Sequence, residues 1–291
     1  MRPVRLLSLF AVAACAVLAT GFRPTPFLTG DEVMQKVKTT LGADSEVDLV
    51  KMVTMSSTGE VETRQLVSAV QKDAKGNFNY VLRFLAPDDV KGTALLVLEK
   101  DNGDVQQFLF LPGLGQIKPI QGDGRAGYFM GSDFTFEDLR KEKPNEWKYD
   151  RLQDEKVEGA DSYVILSAPI DKNREKITGY TNRILYVDKA TFIIRRIEFF
   201  NAKNERLKIF DAYDYKSTDK EPLRPTRGVM TNNVKKTTTI MSLVNSRVNK
   251  PLDPSFFTQD SITKWGPAQD KMVQDVLPAA GAAATPATSA K

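Results

Sequence analysis

The feature that most constrains this fold is a two-residue alternation of apolar and polar side chains, which recurs between short turns along most of the chain. Such alternation is typical of β-strands with one buried face, and connections of a few residues join antiparallel neighbours. The pattern predicts a mainly β protein: one curved antiparallel sheet, or incomplete β-barrel, of about 11–12 strands closed by a few short helices. The predicted strands span residues 47–56, 62–71, 78–85, 93–99, 105–111, 147–157, 162–168, 181–188, 192–200, 205–215, 223–232 and 236–245.

One helix is predicted before the first strand. Thr29 or Asp31 can cap its start, Val33 and Val37 recur at helical spacing, and Gly42 ends it. Because this helix and the segment between the two groups of strands have to cover a large sheet, we expect part of one sheet face to stay open as an apolar cavity.

The first group of strands supplies the candidate cavity wall. Large apolar side chains alternate in each of three strands, and we predict that they share one face of the sheet. A dry core packed against a helix is the alternative for the same face. The predicted wall consists of Phe78, Tyr80, Leu82, Phe84, Leu96, Leu98, Phe108 and Phe110.

Residues 111–140 interrupt the strand pattern with the longest stretch that lacks alternation. A loop of this length inside a compact domain is usually a binding loop or a lid, and its many aromatic side chains are too apolar to remain in water. We therefore predict a lid over the mouth of the cavity. Its predicted contact residues are Tyr128, Phe129, Met130 and Phe134.

The two ends of the chain differ from the middle. Arg2 and Arg5 precede an apolar run at 6–19, whose helical length of about 21 Å is short of a hydrocarbon core of about 30 Å. We predict a cleavable signal peptide at 1–21, a folded domain at 22–265 and a disordered Ala/Pro-rich tail at 266–291. Residues 12–15 also resemble a lipobox, so lipid anchoring through Cys15 is the alternative to cleavage before Phe22.

Composition excludes several common chemistries. The chain has no histidine and a single cysteine, which the predicted cleavage removes. Ser-His-Asp and Cys-His mechanisms, HExxH zinc sites and disulfides are therefore excluded from the mature chain. The formal net charge of +4 falls to +2 without Arg2 and Arg5, which gives no support for nucleic-acid binding.

Three carboxylates in the predicted lid leave a further alternative open. Asp133, Glu137 and Asp138 lie close enough in sequence to form an acid–base pair or a Ca²⁺ site. A glycan hydrolase would use Asp133 with Glu137 or Asp138 at a separation of about 5–9.5 Å. The same residues also fit a cluster that caps a turn or a short helix.

Three sequence blocks carry a resemblance to a known family. They are FLAPDDVKGTALL (84–96), FLFLPGLG (108–115) and FMGSDFTFEDL (129–139). In this order they resemble the LolA-like family of outer-membrane lipoprotein-sorting proteins, over roughly residues 30–260. The resemblance implies an incomplete antiparallel barrel closed by short helices, with an apolar cavity that holds acyl chains and no cofactor.

The resemblance also implies a function. A periplasmic carrier of this kind receives lipoproteins or lipids from an inner-membrane exporter, of the ABC type or the RND type, and passes them to an outer-membrane acceptor. It would be a carrier and not an enzyme. The residues leave two alternatives: an envelope scaffold that binds partners along exposed strand edges, and the carboxylate hydrolase.

Overall fold

The computed structural model describes residues 27–40, 43–218 and 221–277 and contains one curved antiparallel sheet of fourteen strands that does not close into a barrel. The predicted signal peptide and Cys15 lie outside these residues. The helices are α1 (Gly30–Thr40), α2 (Lys172–Thr178), α3 (Gln259–Thr263) and α4 (Pro267–Gln274). The strands are β1 (Ser45–Met55), β2 (Val61–Lys72), β3 (Phe78–Ala86), β4 (Ala94–Glu99), β5 (Val105–Leu111), β6 (Gln116–Ile120), β7 (Trp147–Arg151), β8 (Glu155–Val157), β9 (Ala160–Pro169), β10 (Asn182–Asp188), β11 (Ile194–Phe200), β12 (Arg206–Thr218), β13 (Glu221–Asn232) and β14 (Thr237–Val248).

Most strands pair with the strands that precede and follow them in the chain. The sheet runs β6-β5-β4-β3-β2-β1-β14-β13-β12-β11-β10-β9-β7, with β8 paired to β9. The pairing of β1 with β14 joins the first half of the sheet to the second. The predicted sheet architecture is confirmed, with two more strands than expected. Pro119 and the glycines before it hide β6 in the sequence, and the predicted run 147–157 divides into β7 and β8.

Helix α1 begins with a reciprocal cap. The backbone N–H of Thr29 donates to the Glu32 carboxylate at 2.8 Å, and the N–H of Glu32 donates to the Thr29 hydroxyl at 3.2 Å. A side chain at Gly30 would come within 2.5 Å of the Tyr149 carbonyl oxygen, so only glycine allows this close approach to β7. Val33, Met34 and Val37 then pack on β9 and β10.

Both faces of the first half of the sheet are buried, each by a different part of the chain. We call the face that bears Tyr80 and Phe84 the inner face, and the face that bears Val81 and Leu96 the outer face. The outer face is covered by residues 252–277, which include α3 and α4. Met272, Val273 and Val276 are buried there, so the folded domain extends beyond the predicted boundary at residue 265.

The predicted wall residues do not share one face. Phe78, Tyr80, Leu82 and Phe84 lie on the inner face. Leu95 pairs with Leu82 and Leu109, which places the alternate residues of β4 and β5 on the outer face. The side chains found there, beneath the C-terminal segment, are Leu96, Leu98, Phe108 and Phe110. The expectation was wrong because both strands are apolar at consecutive positions, so alternation gives no register.

The segment between β6 and β7, residues 121–146, crosses the inner face; we call it the strap. Phe129 is fully buried and stacks on Phe84 with ring centroids 5.6 Å apart, while Phe136 meets it edge-on at 5.7 Å. Met130 and Leu139 pack on the same cluster. The strap therefore packs a buried apolar core against the inner face of the first half of the sheet.

A buried ion pair fastens the strap to the second half of the sheet. The Lys208 ammonium on β12 contacts the Asp138 carboxylate, and their side chains are 2% and 5% exposed. Lys208 also donates to the Asp133 carbonyl oxygen at 3.0 Å, and the Tyr180 hydroxyl donates to Asp138 at 2.8 Å. The Asp133 carboxylate accepts hydrogen bonds from the hydroxyls of two β14 threonines, Thr237 and Thr239.

No helix in the described part of the chain has both the length and the apolar content to cross a membrane.

The C-terminal cover predicts a stability effect. Ile262 is fully buried against the outer face, so Ile262→Ala should lower the free energy of unfolding by about 2–5 kcal/mol. Ile170→Ala, at a side chain that is 46% exposed, is the matched control and should change it little. Urea denaturation measures both, and equal effects of the two variants would contradict the assigned cover.

The ion pair between Asp138 and Lys208 predicts a second effect on stability. Asp138→Asn leaves the buried Lys208 ammonium without its counter-charge and should lower the free energy of unfolding by about 3–5 kcal/mol. The double variant Asp138→Asn/Lys208→Met should recover a large part of that loss. Asp260→Asn, in an exposed pair with Lys264, should leave the denaturation midpoint unchanged. Additive losses in the double variant would show that the two groups do not act as a pair.

Candidate functional site

The candidate site is a cavity of about 680 Å³ on the inner face. The strap covers it from one side, the second half of the sheet forms its other side, and α1 borders it through Gln35, Val37 and Lys38. Since the strap aromatics fill the inner face of the first half, the cavity is displaced toward β10–β14. It reaches the first half at Phe78 and Glu99.

The floor of the cavity is mainly apolar, although the paired side chains of Glu46 and Arg224 on the sheet also line the cavity. The apolar side chains of the floor come from β11, β12 and β13, whose registers place Ile197 opposite Phe210 and Phe210 opposite Met230. The Phe210 ring lies over Gly228, where a Cβ would come within 2.8 Å of it, so glycine is required beneath the ring. The floor residues are Ile194, Ile197, Phe199, Phe210, Leu223 and Met230.

The roof of the cavity, in contrast, is charged. The Arg140 side chain lies 2.6 Å from Glu137 and 2.9 Å from Glu146, and Arg174 on α2 contacts the same two carboxylates. Glu137, Arg140 and Arg174 are each less than 10% exposed. Buried charges of this kind are stable because each has a partner of the opposite sign.

A second roof pair joins the strap to β10. Arg183 contacts Glu142 at 2.8 Å, and the Tyr149 hydroxyl donates to Glu142 at 2.6 Å. Burial by itself would raise the pKa of Glu142, but the Arg183 charge and these hydrogen bonds outweigh it and hold the pKa below its usual value. The Arg183 guanidinium lies 3.4 Å from the centroid of the Trp147 ring, which anchors the roof to the base of β7.

Of the predicted site residues, the structure brings Phe78 and Phe134 to the cavity. Tyr80, Leu82 and Phe84 lie on the same face but under the strap, in contact with its aromatic residues. The predicted lid residues Phe129 and Met130 are part of that packed core, whereas Tyr128 is 38% exposed and its hydroxyl accepts a hydrogen bond from the Asn232 side chain on β13. The role of these residues in lipid binding stays a prediction.

The three carboxylates considered for catalysis are all engaged in hydrogen bonds or ion pairs that attach the strap to the rest of the protein. Asp133 is bonded to hydroxyls of β14, Glu137 to two arginines, and Asp138 to Lys208 and Tyr180. The backbone N–H of Thr135 donates to Asp138 and the N–H of Asp138 donates to the Thr135 hydroxyl, which closes a capped turn. Within the described ranges, no three Asp, Glu, His or Cys side chains form a group that could hold a metal ion.

Sequence reasoning missed the cavity floor and its charged roof. The strand predicted at 192–200 carries part of a signal for the floor, because Ile197 and Phe199 lie two residues apart and share a face; Phe210 of the next predicted strand joins them only through the sheet register. The roof pairs join residues far apart in sequence, such as Glu142 and Arg183, and no local pattern reveals them.

Comparisons with known proteins agree on the architecture. A family model whose description reads "Uncharacterized protein" matches residues 76–264, more than half of the chain. No curated protein matches significantly. A solved domain from Vibrio parahaemolyticus, described as an outer membrane lipoprotein-sorting protein, is 28% identical; the alignment covers 81% of this chain and 98% of that one, with a TM-score of 0.75.

Two more distant structures share the fold. A DUF1329 family protein from Desulfovibrio piger is 21% identical over 80% of this chain and 97% of its own, with a TM-score of 0.74. A LolA superfamily protein from Nitrosomonas europaea is 18% identical over 80% and 99%, with a TM-score of 0.63. The chain therefore belongs to the family that the matching model describes, and its fold is the one shared by LolA-like and outer-membrane lipoprotein-sorting proteins.

Proposed function

We propose that this protein is a periplasmic carrier that binds acyl chains of lipoproteins or lipids in the inner cavity and moves them between membranes. The observation that carries the proposal is the apolar floor of a cavity of about 680 Å³, a volume within the range of about 300–1,000 Å³ found for ligand pockets. An inner-membrane exporter of the RND or ABC type would load the carrier, and an outer-membrane acceptor would unload it.

The composition of the cavity suits binding without chemical change. The floor residues can remove methylene groups from water, which contributes about 0.8 kcal/mol for each one buried. The roof carboxylates Glu137, Glu142 and Glu146 are already engaged by arginines. We therefore propose a binding step and no catalytic step.

The open part of the inner face also favours a carrier over a scaffold. A protein that works through its strand edges has no need of an interior cavity, and a packed interior would favour that alternative. Here the strap fills the inner face of the first half, as Phe129 shows, yet Ile197 and Phe210 of the second half border open volume. This difference between the halves supports a ligand-binding role for the second.

Chain length should control affinity. If methylene groups are buried on the floor, binding should strengthen by about fourfold for each added methylene in the series octanol, decanol and dodecanol. Displacement of a fluorescent acyl probe from the purified mature protein measures this slope. Affinity that does not depend on chain length, or no binding of any member, would contradict the proposal.

Filling the cavity should block binding. Ile197→Trp places an indole over the floor and should weaken dodecanol binding by about tenfold or more, the equivalent of roughly two lost methylene contacts. Ile184→Trp is the matched control, since Ile184 lies on the neighbouring strand β10 and faces away from the cavity. Circular dichroism confirms folding of both variants; unchanged affinity in Ile197→Trp would place the ligand elsewhere.

A further inference from the structure

The roof of the cavity carries one cation more than its ion pairs use. Four carboxylates, Glu99, Glu137, Glu142 and Glu146, are bound by four cationic side chains. These partners are Arg140, Lys143, Arg174 and Arg183. Lys141 lies in the same stretch of the strap and lines the same cavity. No carboxylate of the described chain is within ion-pair distance of it.

The surroundings of Lys141 explain why it has no carboxylate partner. Its ammonium lies 3.5 Å from the centroid of the Phe78 ring. Glu99, the carboxylate that attracts it, instead contacts Lys143 at 2.6 Å and accepts the backbone N–H of Phe78 at 3.0 Å. Lys72 approaches the same ring at 5.9 Å and adds positive charge to this end of the cavity.

Burial makes an unpaired ammonium costly. Loss of hydration lowers the pKa of Lys141 to about 8, the attraction of Glu99 opposes this shift, and the charge of Lys72 adds to it. The group is therefore charged for the most part at neutral pH, yet poorly hydrated. An anion that reached it from the cavity would supply the missing counter-charge, and a charge-assisted hydrogen bond in such a place is stronger than one in water.

We propose that Lys141 binds the anionic headgroup, a carboxylate or a phosphate, of an amphiphile whose chain lies on the cavity floor. This inference rests on the proposed carrier function and adds the class of ligand and its orientation. The headgroup lies at the end of the cavity bordered by Phe78, Glu99 and Gly103, and the chain extends toward Phe210 and Met230. The Phe78 ring packs beside the junction of headgroup and chain.

The test compares three probes of equal chain length: dodecanol, dodecanoate and dodecyl phosphate, each measured by displacement of a fluorescent acyl probe at neutral pH. The wild-type chain should bind the two anions about tenfold more tightly than the alcohol, the size of effect that one charge-assisted hydrogen bond supplies. Lys141→Met should remove this preference and leave dodecanol binding within about twofold, since the apolar stem is kept.

Two further variants serve as controls. Lys141→Arg should restore the preference for anions, because it returns the positive charge. Lys148→Met, at an exposed lysine on β7, should leave the preference intact. A thermal melt of each variant verifies that it is folded.

The outcomes separate this inference from the proposed function. If dodecanol does not bind, the carrier proposal fails. If dodecanol binds as tightly as the anions, or Lys141→Met keeps the preference, the carrier stands and the role of Lys141 is overturned. Inorganic phosphate alone should bind far more weakly than dodecyl phosphate. Equal binding would show that the site takes free anions and would overturn the proposal that its ligand is an amphiphile.

Discussion

The buried contact between Lys208 and Asp138 is the interaction on which the site depends. An ammonium and a carboxylate that are both almost fully excluded from water are tolerated only as a pair, so Lys208 fixes the position of Asp138 in the strap. With Asp138 fixed there, Phe129 is held in the aromatic cluster of the first half of the sheet and Phe134 is held against the floor of the second. The same attachment therefore closes one part of the inner face and leaves the adjacent part open.

An open sheet with two apolar faces needs other segments to pack on both of them. The cavity lies where such packing is incomplete. Residues 252–277 cover the outer face of the first half, and α1 covers the inner face at β9 and β10. The strap covers what lies between, but its residues past Leu139 turn from aromatic to charged. Charged side chains cannot pack densely on an apolar floor, because they need partners or water. Open volume thus results where the charged part of the strap passes over Ile197 and Phe210.

The sequence predicted the sheet, α1 and the position of the strap, because each has a local signal: alternation, a capping pattern and a break in alternation. It did not predict which face β4 and β5 present, since Leu95 and Leu96 are both fully buried and each strand contains a run of at least four consecutive apolar residues. It also did not show that Lys208 is buried, because its partner is 70 residues away. The cavity follows from such long-range contacts, so the alternation in β11 indicates an apolar face but not that this face stays open.

The contrast between floor and roof has a consequence for a carrier, which must release its ligand as well as hold it. A cavity enclosed entirely by apolar groups would add dispersion contacts from every side to the about 0.8 kcal/mol that each buried methylene contributes, and would release a long chain slowly. Here the roof groups that form ion pairs, such as Arg183 with Glu142, balance one another's charges, so they need no partner from the ligand. The floor then sets the affinity, and the roof adds no apolar contacts that would slow release. In the proposed orientation, the headgroup at Lys141 makes a single ionic contact, which an acceptor would have to replace when it takes the ligand.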